Sequence, residues 1–243
     1  MATDINAFVQ FSDGTFGSLR KEGATAETVT NVQTGGVGLA QVSGVDIGQA
    51  FVGKTLIAAA IQVQTDDATT GVFCHGYILG PDGKIRIPIQ GGGYGAQGLP
   101  GLKKPVRMEV GMTLQATFDA SADAATQLGS YAVYCTDGTS DVFTAKGVDA
   151  TKTAMTNKDG STIGQALAGK AISCAYATYG STKGLNDNGD GNGGFYIERA
   201  DGQLKVMHAP AVFASTNAVV PYVEYVKPIM IEQNDTLSIM SAA

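Results

Sequence analysis

Charge is scarce in this chain of 243 residues: Asp, Glu, Lys and Arg together make up 16% of it, against about 25% in an average soluble domain. A surface so thinly charged is expected to be covered in large part by neighbours. The net charge is −6, and no basic arm opens the chain. The close basic groupings, Lys103 and Lys104 with Arg107 and Arg20 with Lys21, read as solvated loop charges, so direct nucleic-acid binding is not expected. Cysteine is nearly absent as well. Cys74, Cys135 and Cys174 are an odd number, which argues for buried free thiols over a disulfide framework and for folding in a reducing compartment. Met1 to Asp4 carries neither a basic nor an apolar region, so no signal peptide is expected. The apolar run Leu56 to Ile61 is far shorter than a membrane span, and no transmembrane segment is expected either. Histidine is limited to His75 and His208, and no G-x-S-x-G elbow, H-E-x-x-H or paired-cysteine spacing occurs. The expectation is a protein that is not an enzyme.

What the chain does contain, it contains twice. Ile47-Gly48-Gln49-Ala50 through Gly53-Lys54 returns as Ile163-Gly164-Gln165-Ala166 through Gly169-Lys170. Before this pair, Asp13-Gly14-Thr15 answers Asp137-Gly138-Thr139; after it, Tyr77-Ile78 with Asp82-Gly83 answers Tyr196-Ile197 with Asp201-Gly202. Lys104-Pro105 and Thr113-Leu114 are matched by Lys227-Pro228 and Thr236-Leu237. Four anchors in one order, with slightly varied spacing, indicate a tandem duplication. None of the three cysteines has a counterpart in the other copy. The expected division is a first copy over 1–120, a linker over 121–130 and a second copy over 131–243.

Periodicity assigns both copies to the all-β class. Thr55 to Gln64 is apolar and then alternating, and the flanking Thr65-Asp66-Asp67 turn signal favours a strand. Val72 to Leu79 and Ile85 to Ile89, joined by Pro81-Asp82-Gly83, read as a hairpin. From Val106 to Phe118 every second residue is apolar, which places those side chains on one sheet face, with Gly111 marking a bulge or tight turn. Residues 20–46 should hold one or two short strands. Residues 90–103 and 208–226 read as long loops, and residues 119–129 as the connection between copies.

Three stretches invite a chemical reading. Gly48 to Thr55 satisfies the phosphate-loop pattern G-x-x-x-x-G-K-[ST], but that loop needs a strand before it and a helix after it, and Ala171 replaces the hydroxyl residue in the second copy. A structural turn used twice accounts for both. Asn186, Asn188, Asp190 and Gly191 resemble the start of a calcium loop, the only cofactor suggested. That pattern departs at its first ligand, an Asn, and at its twelfth position, Ile197. His75 beside Cys74 could activate a thiolate, yet neighbours on a strand face opposite ways. Glu109 and Glu232 are expected on the polar faces of exposed strands.

Two strand-rich copies with divergent long loops resemble the double jelly-roll capsid proteins of icosahedral viruses. The resemblance implies two tandem β-sandwich or jelly-roll barrels in a virion structural protein, a major capsid protein. Such a protein forms a homotrimer whose six barrels make a pseudo-hexameric tile, contacts other virion proteins, and is assembled in the host cytoplasm. It would make Tyr94, Phe213, Tyr222 and Tyr225, on the long loops, the interface anchors. A decoration, spike or tail component is a related reading. The reading from another class is a carbohydrate-binding or adhesive surface module, with the Asn186 to Asp190 loop as its ligand site.

Overall fold

The computed structural model describes residues 3–25, 28–35, 43–65, 73–89, 91–92, 101–119, 128–146, 151–179, 194–208 and 222–240. The chain is all-β and divides into two compact units, Met1–Ala120 and Ser121–Ala243. Among the described residues no helix is long and apolar enough to cross a membrane.

The first unit contains β1 (Thr3–Phe11), β2 (Phe16–Lys21), β3 (Thr30–Thr34), the helical turn α1 (Ile47–Ala50), β4 (Thr55–Thr65), β5 (Phe73–Leu79), β6 (Ile85–Ile89), β7 (Gly91–Gly92), β8 (Gly101–Arg107) and β9 (Thr113–Asp119). Its strands lie in the order β6-β5-β9-β3-β2-β1-β4, and the far edge of β4 carries both β7 and β8. Ile5, Val9 and Phe11 of β1, Ile61 of β4, Ile78 of β5 and Leu114 of β9 alternate inward to a dry core. Period two in the sequence thus becomes one buried face per strand.

The second unit contains β10 (Leu128–Cys135), β11 (Ser140–Lys146), β12 (Thr153–Ala154), β13 (Thr156–Asn157), α2 (Ile163–Leu167), β14 (Ala171–Tyr179), β15 (Gly194–Glu198), β16 (Leu204–His208), β17 (Tyr222–Met230) and β18 (Thr236–Met240). Its orders are β13-β11-β10-β14-β17 and β12-β18-β15-β16. Buried Met155 separates β12 from β13, and the pair stands where the first unit has the single strand β3, which itself bonds β9 at one end and β2 at the other. With that substitution the two units share one strand order.

In both units the fourth long strand returns beside the first, giving β3-β2-β1-β4 and β13-β11-β10-β14. This is a Greek key. A jelly roll would pair the first strand with the last; here β1 pairs with β2 and β4, and β10 with β11 and β14. The barrel expectation holds, while the wrapping within it is a hairpin-led Greek key.

Several local expectations change. Gly91–Gly92 and Gly101 onwards lie in strands, as does Tyr222 to Val226, so the two expected loops are shorter than residues 90–103 and 208–226. β10 opens at Leu128, inside the stretch expected as linker. Gly111, at φ 87°, does make the turn expected there, but the turn divides Val106 to Phe118 between β8 and β9 and leaves Val110 exposed.

Candidate functional site

The repeated glycine-lysine stretch occupies the same place in both units. Gly48 opens α1 against the turn before β9: its N–H donates to Met112 O at 3.1 Å, and a Cβ there would stand 2.2 Å from Glu109 O. Gly164 in α2 donates to Asp235 O at 3.2 Å, and its Cβ would stand 2.5 Å from Gln233 O. Only glycine lets the backbones approach so closely. Gly53 and Gly169 have φ of 80° and 77° and donate to Met108 O and Ile231 O, both at 2.9 Å. Lys54 Nζ reaches Asp13 Oδ2 at 2.5 Å and Thr15 Oγ1 at 2.8 Å, and Lys170 Nζ reaches Asp137 Oδ2 at 2.6 Å. The Lys54 hydrogen bond, aided by the Thr15 N–H, draws the Asp13 carboxyl down to about 2; the Lys170 hydrogen bond lowers Asp137 likewise.

Gly48, Gly53 and Lys54 of the phosphate-loop pattern therefore serve the fold. A helical turn comes first and strand β4 follows, the reverse of the order a phosphate cradle needs. The sequence expected strand and turn around this motif and missed the helical turns. A signal was present at α2, where Thr162 and Gln165 form a capping box: Thr162 Oγ1 accepts from Gln165 N at 3.4 Å and Gln165 Oε1 from Thr162 N at 2.9 Å.

Cys74 and His75 do face opposite ways. The Cys74 thiol donates to Ile61 O at 3.5 Å, while His75 is buried on the outer side of β5 with Nδ1 unpartnered among the described residues. Burial alone pushes the His75 imidazole down to about 4. All three cysteines are buried thiols outside any disulfide, and burial pushes the Cys135 thiol up to about 12. That shift is opposite to what a nucleophilic thiolate needs.

Glu109 and Glu232 are not on strand faces. They sit in the turns that lead into β9 and β18, where Met112 N donates to Glu109 O and Asp235 N to Glu232 O. The two turns are held by different chemistry. Glu109 N donates to the Met112 thioether at 3.4 Å; Glu232 N donates to Asp235 Oδ2 at 2.7 Å. Asp235 is buried and pairs with the half-buried Lys205 at 2.5 Å; the same ammonium donates to Met230 O at 3.0 Å and stands 3.5 Å from Glu232.

Of the expected anchors, Tyr94 and Phe213 lie outside the described residues, as do Asn186, Asn188 and Asp190 of the calcium-like loop. Tyr222 lies in β17, in register with Tyr176 of β14. Tyr225 turns inward: its ring packs on the core of the second unit and its hydroxyl lies 2.5 Å from that of buried Tyr131.

Lys103 and Lys104 are exposed as expected, but in an edge bulge and not in a loop. On the edge strands, four residues stand opposite one of the neighbouring strand, Leu102 to Pro105 beside β4 and Tyr225 to Pro228 beside β14. In each the first side chain is half-buried and the next three, ending in Lys-Pro, are exposed. Such a bulge, with lysine and proline, blunts an edge against strand addition. The exposed large apolar side chains include Phe8 and Phe16 in the first unit and Leu204 and Met207 in the second. Compared with protein-family models, with curated proteins and with solved structures, the chain matches none.

Proposed function

We propose that the chain is a structural building block that associates with copies of itself, as the protein of a virion shell does, with three copies placing six barrels in one tile. The observation that carries this reading is the contrast between frame and surface. The two units keep strand order, turn glycines, the Lys–Asp pairs and the edge bulges, and they differ where side chains face outward. We infer a tandem duplication whose halves kept one shape and acquired different neighbours. The low charge and the exposed Phe8, Phe16, Leu204 and Met207 support surfaces that are covered in an assembly. The blunted edges favour contacts between sheet faces over strand addition.

Light scattering over a concentration series tests this reading. The expected mass is near three times the 24.9 kDa chain, or larger. A monomer at every concentration would overturn it and turn attention to glycan binding by an isolated surface module.

A further inference from the structure

The outer side of β5 and β9 carries polar side chains paired across the two strands. Tyr77 opposes Gln115, and this pair closes its own hydrogen bonds: the Tyr77 hydroxyl donates to Gln115 Oε1 at 3.1 Å, and Gln115 Nε2 donates to Asn31 Oδ1 of β3 at 3.3 Å. Asn31 is exposed, so the row ends in solvent. Two residues along each strand, on the same side, His75 opposes Thr117. That pair is not closed. Among the described residues neither His75 Nδ1 nor Thr117 Oγ1 has a hydrogen-bond partner, although His75 is only 7% exposed and Thr117 only 6%.

A buried polar atom left unpaired forfeits the hydrogen bond it had in water, and folded proteins close nearly all such atoms, with an ordered water where no side chain reaches. Directly opposed residues of an antiparallel pair hold their Cβ atoms roughly 4.5–5.5 Å apart, which brings these two groups into one small space. Their chemistry selects what can lie between them. A hydroxyl both donates and accepts, and a neutral imidazole nitrogen accepts when the proton is on the other nitrogen. Burial is the whole cause of the lowered His75 imidazole, with no charged group contributing, and among the described residues no three His, Cys, Asp or Glu side chains are grouped to hold a metal. An ion finds no counter-charge at this place, whereas a single water finds two of the roughly three partners that a buried water takes. The second unit shows that the barrel itself does not require the pair. At the matching positions Gly194 opposes Met240, and neither residue has a side-chain nitrogen or oxygen.

We propose that His75 and Thr117 form a binding site for one internal water molecule, which accepts a hydrogen bond from the Thr117 hydroxyl and donates one to His75 Nδ1. The proton of the neutral imidazole then sits on Nε2. Both side chains belong to neighbouring strands of one sheet, so the site is defined within the first unit and stands whether or not the chain self-associates. The water closes the His75–Thr117 pair as the Gln115 amide closes the Tyr77–Gln115 pair beside it.

The test is a crystal structure of the full-length chain at a resolution that shows ordered water, together with the nitrogen chemical shifts of the His75 imidazole in solution. The expected result is one density peak within about 3.2 Å of both Thr117 Oγ1 and His75 Nδ1, and an imidazole protonated on Nε2. Thr117→Val keeps the shape of the side chain and removes its hydroxyl. In that variant the peak should be lost, and relaxation dispersion of the solvent oxygen, which counts long-lived internal waters, should fall by one water. Thr117→Ser keeps the hydroxyl and should keep both the peak and the count. If the valine variant is poorly folded, the wild-type and serine crystals decide. A direct bond between Thr117 and His75, another side chain on Nδ1, an imidazole protonated on Nδ1, or the lack of any peak between the two residues would overturn the proposal, as would a peak that persists unchanged in Thr117→Val.

Discussion

A methyl group at Gly48 would stand 2.2 Å from a backbone oxygen that has no side-chain freedom to yield. Gly48→Ala is therefore expected to cost about 2–3 kcal/mol, as overpacking does, read as a lowered urea midpoint with an unchanged slope. Gly14→Ala, at φ 84° with open space around it, should cost only about 1 kcal/mol. The sequence repeats Gly48 and Gly164 without revealing whether a glycine serves a turn, a ligand or a close approach. That distinction belongs to the opposing backbone, which is distant in sequence. His75 carries a second prediction. Its folded pKa of about 4 lies below the ordinary 6.5, so the unfolded chain takes up the proton first and stability falls as pH drops from about 6.5 towards 4. The expected loss is about 3 kcal/mol over that window, and His75→Gln should flatten that part of the profile in urea titrations at stepped pH. A profile unchanged by the substitution would show that His75 titrates normally. Cys74 and His75 were legible as lying on opposite faces of a strand; the burial of both faces was not, because period two gives direction and not cover.

The hairpin β5 to β6 and the long strand β4 were legible because alternation and turn dipeptides are local. The Greek-key order was not, since β4 finds β1 across a long connection that no periodicity records. Nor were the edge bulges, which appear in the sequence only as a repeated Lys-Pro. Among the elements, the turn into β18 makes the sharpest energetic claim. Asp235 holds both the Glu232 N–H and the Lys205 ammonium in a dry setting, where the matching turn in the first unit uses a thioether. Asp235→Ala should cost about 1–3 kcal/mol, because the Glu232 N–H loses its acceptor and the Lys205 ammonium is left with the Met230 carbonyl and the exposed Glu232 carboxylate. Lys205→Met combined with Asp235→Met, which copies the apolar chemistry of the other turn, should cost much less than the sum of the single changes. Additive effects in that double-mutant cycle would mean that the pair is not coupled.

For the whole molecule, the repeated frame was legible in the sequence, through anchors that are turns at Asp13-Gly14 and Gly53, strand at Tyr77-Ile78 and edge bulges at Lys104-Pro105. Tyr225 is drawn inward to Tyr131, while exposed Phe8, Phe16, Leu204 and Met207 sit on strands. Surface exposure depends on which face a barrel buries and on what lies over it, and neither is written in a strand's own residues. The most direct measurement is negative-stain imaging of the purified chain at the concentration where light scattering reaches its plateau. Six-lobed outlines, three copies in each, are the predicted result. Particles of single-chain size at that plateau would contradict the account.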